Sequence, residues 1–239
     1  MTFTTEFDTD HRTDTRTHTA PVTPLSVPRR ATVIDKVRAM LAKASSTDHE
    51  PEREAFEAKA QALITRYQIE ARELSDAESE VLERRIDVRT WNEATRGVIY
   101  LYGGIAELNR SSAAHRAVGD YSQVILFGTQ VDLDLVETMV GHLLPQLRTH
   151  MLLDQPKSRM SYAIGWTHEV LSRLIVAQEA VAAEYNALIP TNNAADDAMQ
   201  QAYRLKDDSQ TTLVDSAEYE FGASAAERAD IGRMKLAAS

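Results

Sequence analysis

The stretch from Ile34 to Leu74, IDKVRAMLAKASSTDHEPEREAFEAKAQALITRYQIEAREL, places apolar residues at three- and four-residue steps twice over, with a short charged break between. Ile34, Val37, Leu41 and Ala44 form the first stripe, and Phe56, Ala60, Leu63, Ile64 and Tyr67 the second. Such spacing puts each set on one side of a 3.6-residue helix. Ser46, Thr47 and Asp48 supply stop and restart chemistry, and Pro51 and Glu52 suit a first helical turn with its positive dipole end. Two facing stripes joined by so short a loop predict an antiparallel helical hairpin.

The rest of the chain predicts an α+β protein, mainly α. Ile86 and Val88 alternate with Arg85, Asp87 and Arg89, which predicts a strand over 81–90. A helix follows from Trp91 to Leu108, then strands over 112–118 and 121–127 joined by the two-residue turn Gly119-Asp120. The result is a small three-stranded, mostly antiparallel sheet flanked by long helices, with the hairpin packed on the sheet. The long helices are expected over 130–153, interrupted by Pro145, and over 158–187. Five regions result: a disordered, Thr-rich arm over 1–28, the hairpin over 29–78, an α+β domain over 79–189, a mobile acidic loop over 190–221 with at most a short helix near 198–205, and a C-terminal helix within 222–239, from about Ser224 to Ala237.

Apolar residues make up 43% of the 239 positions, enough for a core, while aromatics supply only 6%. The formal charge of −10 opposes a chain whose whole surface grips phosphate. With no cysteine, disulfides, thiolate catalysis and Cys-ligated metals are excluded. The N-terminus carries no secretory pattern, and no apolar run reaches the roughly 18 to 20 residues of a membrane span. The expectation is a cytoplasmic protein without membrane contact.

The hairpin segment KVRAMLAKASSTDHEPEREAFEAKAQALITRYQI resembles the bacterial and phage family known as domain of unknown function 2786 (DUF2786), through Leu41, Ala42, Ala44, Ala58, Lys59, Ala60, Gln61, Leu63, Tyr67 and Ile69. Beyond the hairpin, VILFGTQVDLDLVETMVGHLLPQL, YAIGWTHEVLSRL and AAERADIGRMKL are similar to the longer actinobacterial and actinophage members. Ser45 departs from the pattern where Glu is usual, and Pro145 falls in a helix that is normally uninterrupted. The resemblance implies no activity and carries no site residues with it.

Catalytic and cofactor signatures are absent. His168-Glu169 opens like a zinc-protease helix, but Ser172 stands where the second His is required. His142 and His150 lie two turns apart and read as structural or surface residues, and His11 and His18 as solvated side chains of the arm. Ser45, Ser46 and Thr47 have no Gly elbow or paired base. Asn109-Arg110-Ser111 is a glycosylation sequon only in form. No catalytic, cofactor or metal residue is therefore assigned. Asp132, Asp134 and Glu137 form a carboxylate cluster that suits either a helix start or a divalent cation. Between Arg29 and Arg66 eight bases face six acids, and Arg29, Arg30, Lys36, Arg38 and Lys43 are the candidate nucleic-acid contacts. Three readings follow: a non-enzymatic binding or assembly module with a protein partner, a nucleic-acid-binding hairpin, and a divalent-metal-dependent enzyme.

Overall fold

The computed structural model describes residues 27–47, 49–73, 80–88, 94–184, 193–205 and 214–231. Helix α1 (Val27–Ser46) and helix α2 (Glu50–Glu73) form the predicted hairpin. Val37 and Ala44 of the first stripe and Ala60 and Ile64 of the second are buried. At the junction the Thr47 hydroxyl donates to Glu52 (3.0 Å) and accepts from the His49 amide (3.3 Å). Thr47 thus does the capping work expected of Asp48, which lies outside the described residues. Helix α1 begins at Val27 rather than Thr32, because Pro28 falls in its first turn, where its missing N–H has no partner to lose.

Strands β1 (Leu82–Val88), β2 (Ser112–Val118) and β3 (Tyr121–Gly128) form an antiparallel sheet in the order β1-β3-β2. Val118 pairs with Tyr121 across the predicted turn, whose Gly119 takes the left-handed φ of 59°. Alternation divides the central strand. Val124 and Leu126 enter the main core, while Ile125 and Phe127 enter a second, smaller one with Ala114, closed by Ala195 and Met199 of helix α6 (Asn193–Ala202).

Helix α3 (Thr95–Leu108) lies on the main-core face beside helix α4 (Gln130–Asp154) and under helix α5 (Arg159–Glu184). Leu101 and Ile105 of α3, Leu133 and Leu147 of α4, and Tyr162, Trp166, Leu171 and Leu174 of α5 are fully buried. Helix α4 continues through Pro145, and the Thr149 hydroxyl donates back to the Pro145 carbonyl (3.0 Å). The hairpin packs mainly on α4 and α5, through α1 and α2 respectively, and not on the sheet as expected. The sheet's main-core face is already taken by α3 and α4, which leaves the outer sides of α4 and α5 for a further layer.

The C-terminal helix α7 spans Ser216–Ala226 and docks along α5, whereas a mobile loop was expected to 221 and a helix from Ser224 to Ala237. Asp215 explains the early start, since its carboxylate accepts from the amides of Ala217 (3.0 Å) and Glu218 (3.1 Å). Residues 232–239 lie outside the description, as do the arm over 1–26 and the expected helix start at Trp91.

Candidate functional site

Ordinary packing places three ionisable side chains from distant parts of the chain together. Helix α2 turns Glu57 inward beside Ala60, α4 presents His142 beside Leu143, and the segment after α7 brings in Asp230 beside Ile231. One ligand-capable atom from each of Glu57, His142 and Asp230 lies within 4.8 Å of the other two, the one such group among the described residues. Glu57 is only 3% exposed. Glu57 and His142 line a cavity of about 20 Å³, whose remaining wall is apolar except for Gln61. That volume admits a single water-sized occupant.

The surroundings fix the geometry. Gln146, one turn after His142, donates to the Asp230 carbonyl (3.0 Å) and accepts from the Asp230 amide (2.7 Å), so α4 holds the backbone of the C-terminal segment at both polar groups. Arg53, one turn before Glu57, places its Nε 3.8 Å from Asp230 Oδ2. Burial lowers the His142 pKa, and a hydrogen bond to the Asp230 backbone acts the other way. Its Nε2 is buried with no hydrogen-bonding partner. An imidazole that gives one ring N–H to a backbone carbonyl leaves the other nitrogen's lone pair to a ligand.

A neutral imidazole and two carboxylates against an apolar wall are a donor set for a divalent transition metal, with zinc and manganese the natural choices. Tetrahedral donors at about 2.1 Å from zinc stand about 3.4 Å apart, so side-chain adjustments of about an ångström close this group around an ion. Two carboxylates about 5 Å apart repel by roughly 3 kcal/mol at an effective dielectric near 20, and the Arg53 guanidinium beside Asp230 opposes that repulsion.

The acidic cluster read from the sequence does not converge. Asp134 and Glu137 both pair with Arg84 of β1, at 2.9 and 3.2 Å. Asp132 is buried at the helix start, where its carboxylate accepts from the Thr129 hydroxyl (2.8 Å). Ser46 and Thr47 serve the ends of the hairpin helices, Ser46 through a hydrogen bond to the Lys43 carbonyl (3.0 Å). His168 faces the Tyr219 hydroxyl at 3.0 Å and stacks on Tyr100. Asn109 is buried and donates to the Ile105 carbonyl (2.7 Å), a helix end rather than a glycan acceptor.

Of the candidate nucleic-acid contacts, Arg29 and Arg30 lie within α1, while Lys36, Arg38 and Lys43 are exposed. At 100° per residue Lys36 and Lys43 share one flank of the docked stripe, and Arg38 lies on the other. The Lys43 ammonium sits 5.4 Å from the Phe56 ring centroid.

The architecture is that of a mainly helical α+β protein in which a helical hairpin is seated on a helix pair behind a three-stranded antiparallel sheet. Residues 32–71, the body of that hairpin, match the family model described as "Protein of unknown function (DUF2786)", which makes this a DUF2786 domain-containing protein. Glu57 falls inside the match, and His142 and Asp230 outside it. No curated protein and no solved structure matches the chain. No described helix is long and apolar enough to cross a membrane.

Proposed function

We propose that the protein is a cation-dependent binding module, in which Glu57, His142 and Asp230 hold one divalent transition metal between the DUF2786 hairpin, α4 and the C-terminal segment. The observation that carries this reading is the convergence of the three ligand atoms within 4.8 Å, beside a cavity of ionic size. A cavity of about 20 Å³ beside the three side chains has the size for an ion or a water molecule, which supports a binding role at this place. Calorimetry with zinc and with manganese, combined with metal analysis after dialysis, tests the reading. One equivalent is expected to bind the native chain, with affinity lowered at least tenfold in His142→Ala. Absence of binding, or binding that His142→Ala leaves unchanged, overturns it.

A second reading concerns the exposed flank of α1. Lys36 and Lys43 share that flank, and Arg29 and Arg30 precede them in the same helix, which supports a phosphate-bearing partner. Binding to DNA or RNA that weakens with salt and falls in the Lys36→Glu, Lys43→Glu double variant is the expected result. Binding unaffected by that variant removes the hairpin as the contact.

A further inference from the structure

The face that α2 turns into the molecule is unusual for a docked helix. Glu57, Gln61 and Thr65 recur at four-residue steps, so they stand on one line along the helix, and all three are buried. The Thr65 hydroxyl is buried with no hydrogen-bonding partner. A polar line inside an interface lowers the net gain from burying Ala60 and Ile64 beside it, because each buried polar group gives up water. The hairpin's seat on α4 and α5 is thus weaker than its apolar stripes alone would make it. Glu57 sits at the N-terminal end of this line, directly against His142 of α4 and Asp230 of the segment that Gln146 clamps to α4.

From this juxtaposition we infer that the cation held by Glu57, His142 and Asp230 is a latch that keeps the DUF2786 hairpin docked on the helical body. The inference rests on the metal site proposed above. Glu57 belongs to the hairpin, whereas His142 and Asp230 belong to the body, so an ion bonded to all three bridges the two parts. When the ion leaves, Arg53 of α2 still reaches Asp230, but the bond from Glu57 through the ion to His142 and Asp230 is lost, and the polar line on α2 favours hydration. The sheet and the α3–α5 contact share no ligand with the site, so their cohesion is independent of it. By mass action an ion that binds only the docked form shifts the docking equilibrium by the factor 1 + [ion]/Kd.

Amide hydrogen exchange on the full chain, in excess EDTA and in zinc at a hundred times the calorimetric Kd, tests the latch. Zinc is expected to slow exchange in peptides spanning 37–44 and 57–65 at least tenfold, while peptides from α3 over 101–106 change less than threefold. Glu57→Gln removes a ligand while keeping the side chain's size, so its hairpin is expected to exchange alike in EDTA and in zinc. If zinc binds by calorimetry yet leaves hairpin exchange unchanged, or slows every peptide alike, the latch is wrong and the metal site stands. If the native chain binds no zinc, the site itself fails and the latch with it. A Glu57→Gln hairpin that still responds to zinc also overturns the latch.

Discussion

Trp166 of α5 donates its indole N–H to Nδ1 of His150 on α4 across 2.9 Å, with the two rings edge to face at 6.1 Å. Trp166 is fully buried, so its N–H depends on that acceptor. Burial, and then the nearby Arg228, hold the His150 pKa below its ordinary value, against a smaller opposing effect of Asp154. The unfolded chain therefore takes up a proton near pH 6.5 that the folded chain resists, and stability is lost as pH falls from about 6.5 towards the lower folded pKa. Burial lowers the His168 pKa in the same direction. Thermal denaturation between pH 7.5 and 5 is expected to show a falling midpoint, with a shallower fall in His150→Gln. An equal fall in the variant would remove His150 as a cause.

Helices α5 and α7 meet backbone to backbone. A methyl group built on Gly165 would overlap the Tyr219 carbonyl, and one on Gly222 the Tyr162 carbonyl. Neither obstacle is a flexible side chain, so Gly165→Ala and Gly222→Ala are each expected to cost about 2 to 3 kcal/mol in urea denaturation. Gly141 on the exposed side of α4 has open space around it, and Gly141→Ala is expected to stabilise by about 0.5 to 1 kcal/mol. Similar effects at all three positions would show that α5 and α7 do not meet at backbone contact.

The pairing of Arg84 with Asp134 and Glu137 accounts for two acids of the cluster that suggested a cation. These side chains keep part of their water, Glu137 being 46% exposed, so Arg84→Ala is expected to cost no more than about 1 kcal/mol. Asp134→Asn is expected to leave zinc stoichiometry unchanged in calorimetry. A lost equivalent would return the metal to this helix start and away from Glu57, His142 and Asp230.

Two single oxygen-bearing side chains begin long-range packing elements. The Thr129 hydroxyl accepts from the Asp132 amide at the start of α4, and the Asp215 carboxylate does the same for two amides of α7. Thr129→Ala and Asp215→Ala are each expected to cost about 1 kcal/mol of unfolding free energy. An unchanged denaturation midpoint in either variant would mean that water serves those amides equally well.

Local pattern carried much of the fold. The stripes Val37/Ala44 and Ala60/Ile64 are buried as their spacing requires, because helical period is a property of neighbouring residues. The same holds for β3 and for the Gly119-Asp120 turn, where alternation and a left-handed glycine leave little choice. The start of α7 is written locally in the Asp215 cap, whereas the docking that seats the helix depends on the close approach of Gly222 to α5, of which the neighbouring residues carry no mark.

The site was hidden for a stronger reason. Glu57, His142 and Asp230 are separated from one another by more than eighty residues, and none sits in a recognisable ligand spacing. In sequence Glu57 is one acid among the hairpin's bases, and His142 one of two histidines on a long helix. By itself the sequence determined the helices and strands up to α5, which sides of them are apolar, and that the hairpin is of the DUF2786 type, but not the extents of α6 and α7. Only the tertiary structure decided that the hairpin lies on α4 and α5 rather than on the sheet, and that an acid from each side meets an imidazole there. Burial and periodicity are set by near neighbours along the chain, whereas a ligand set assembled from three elements exists only once those elements have packed.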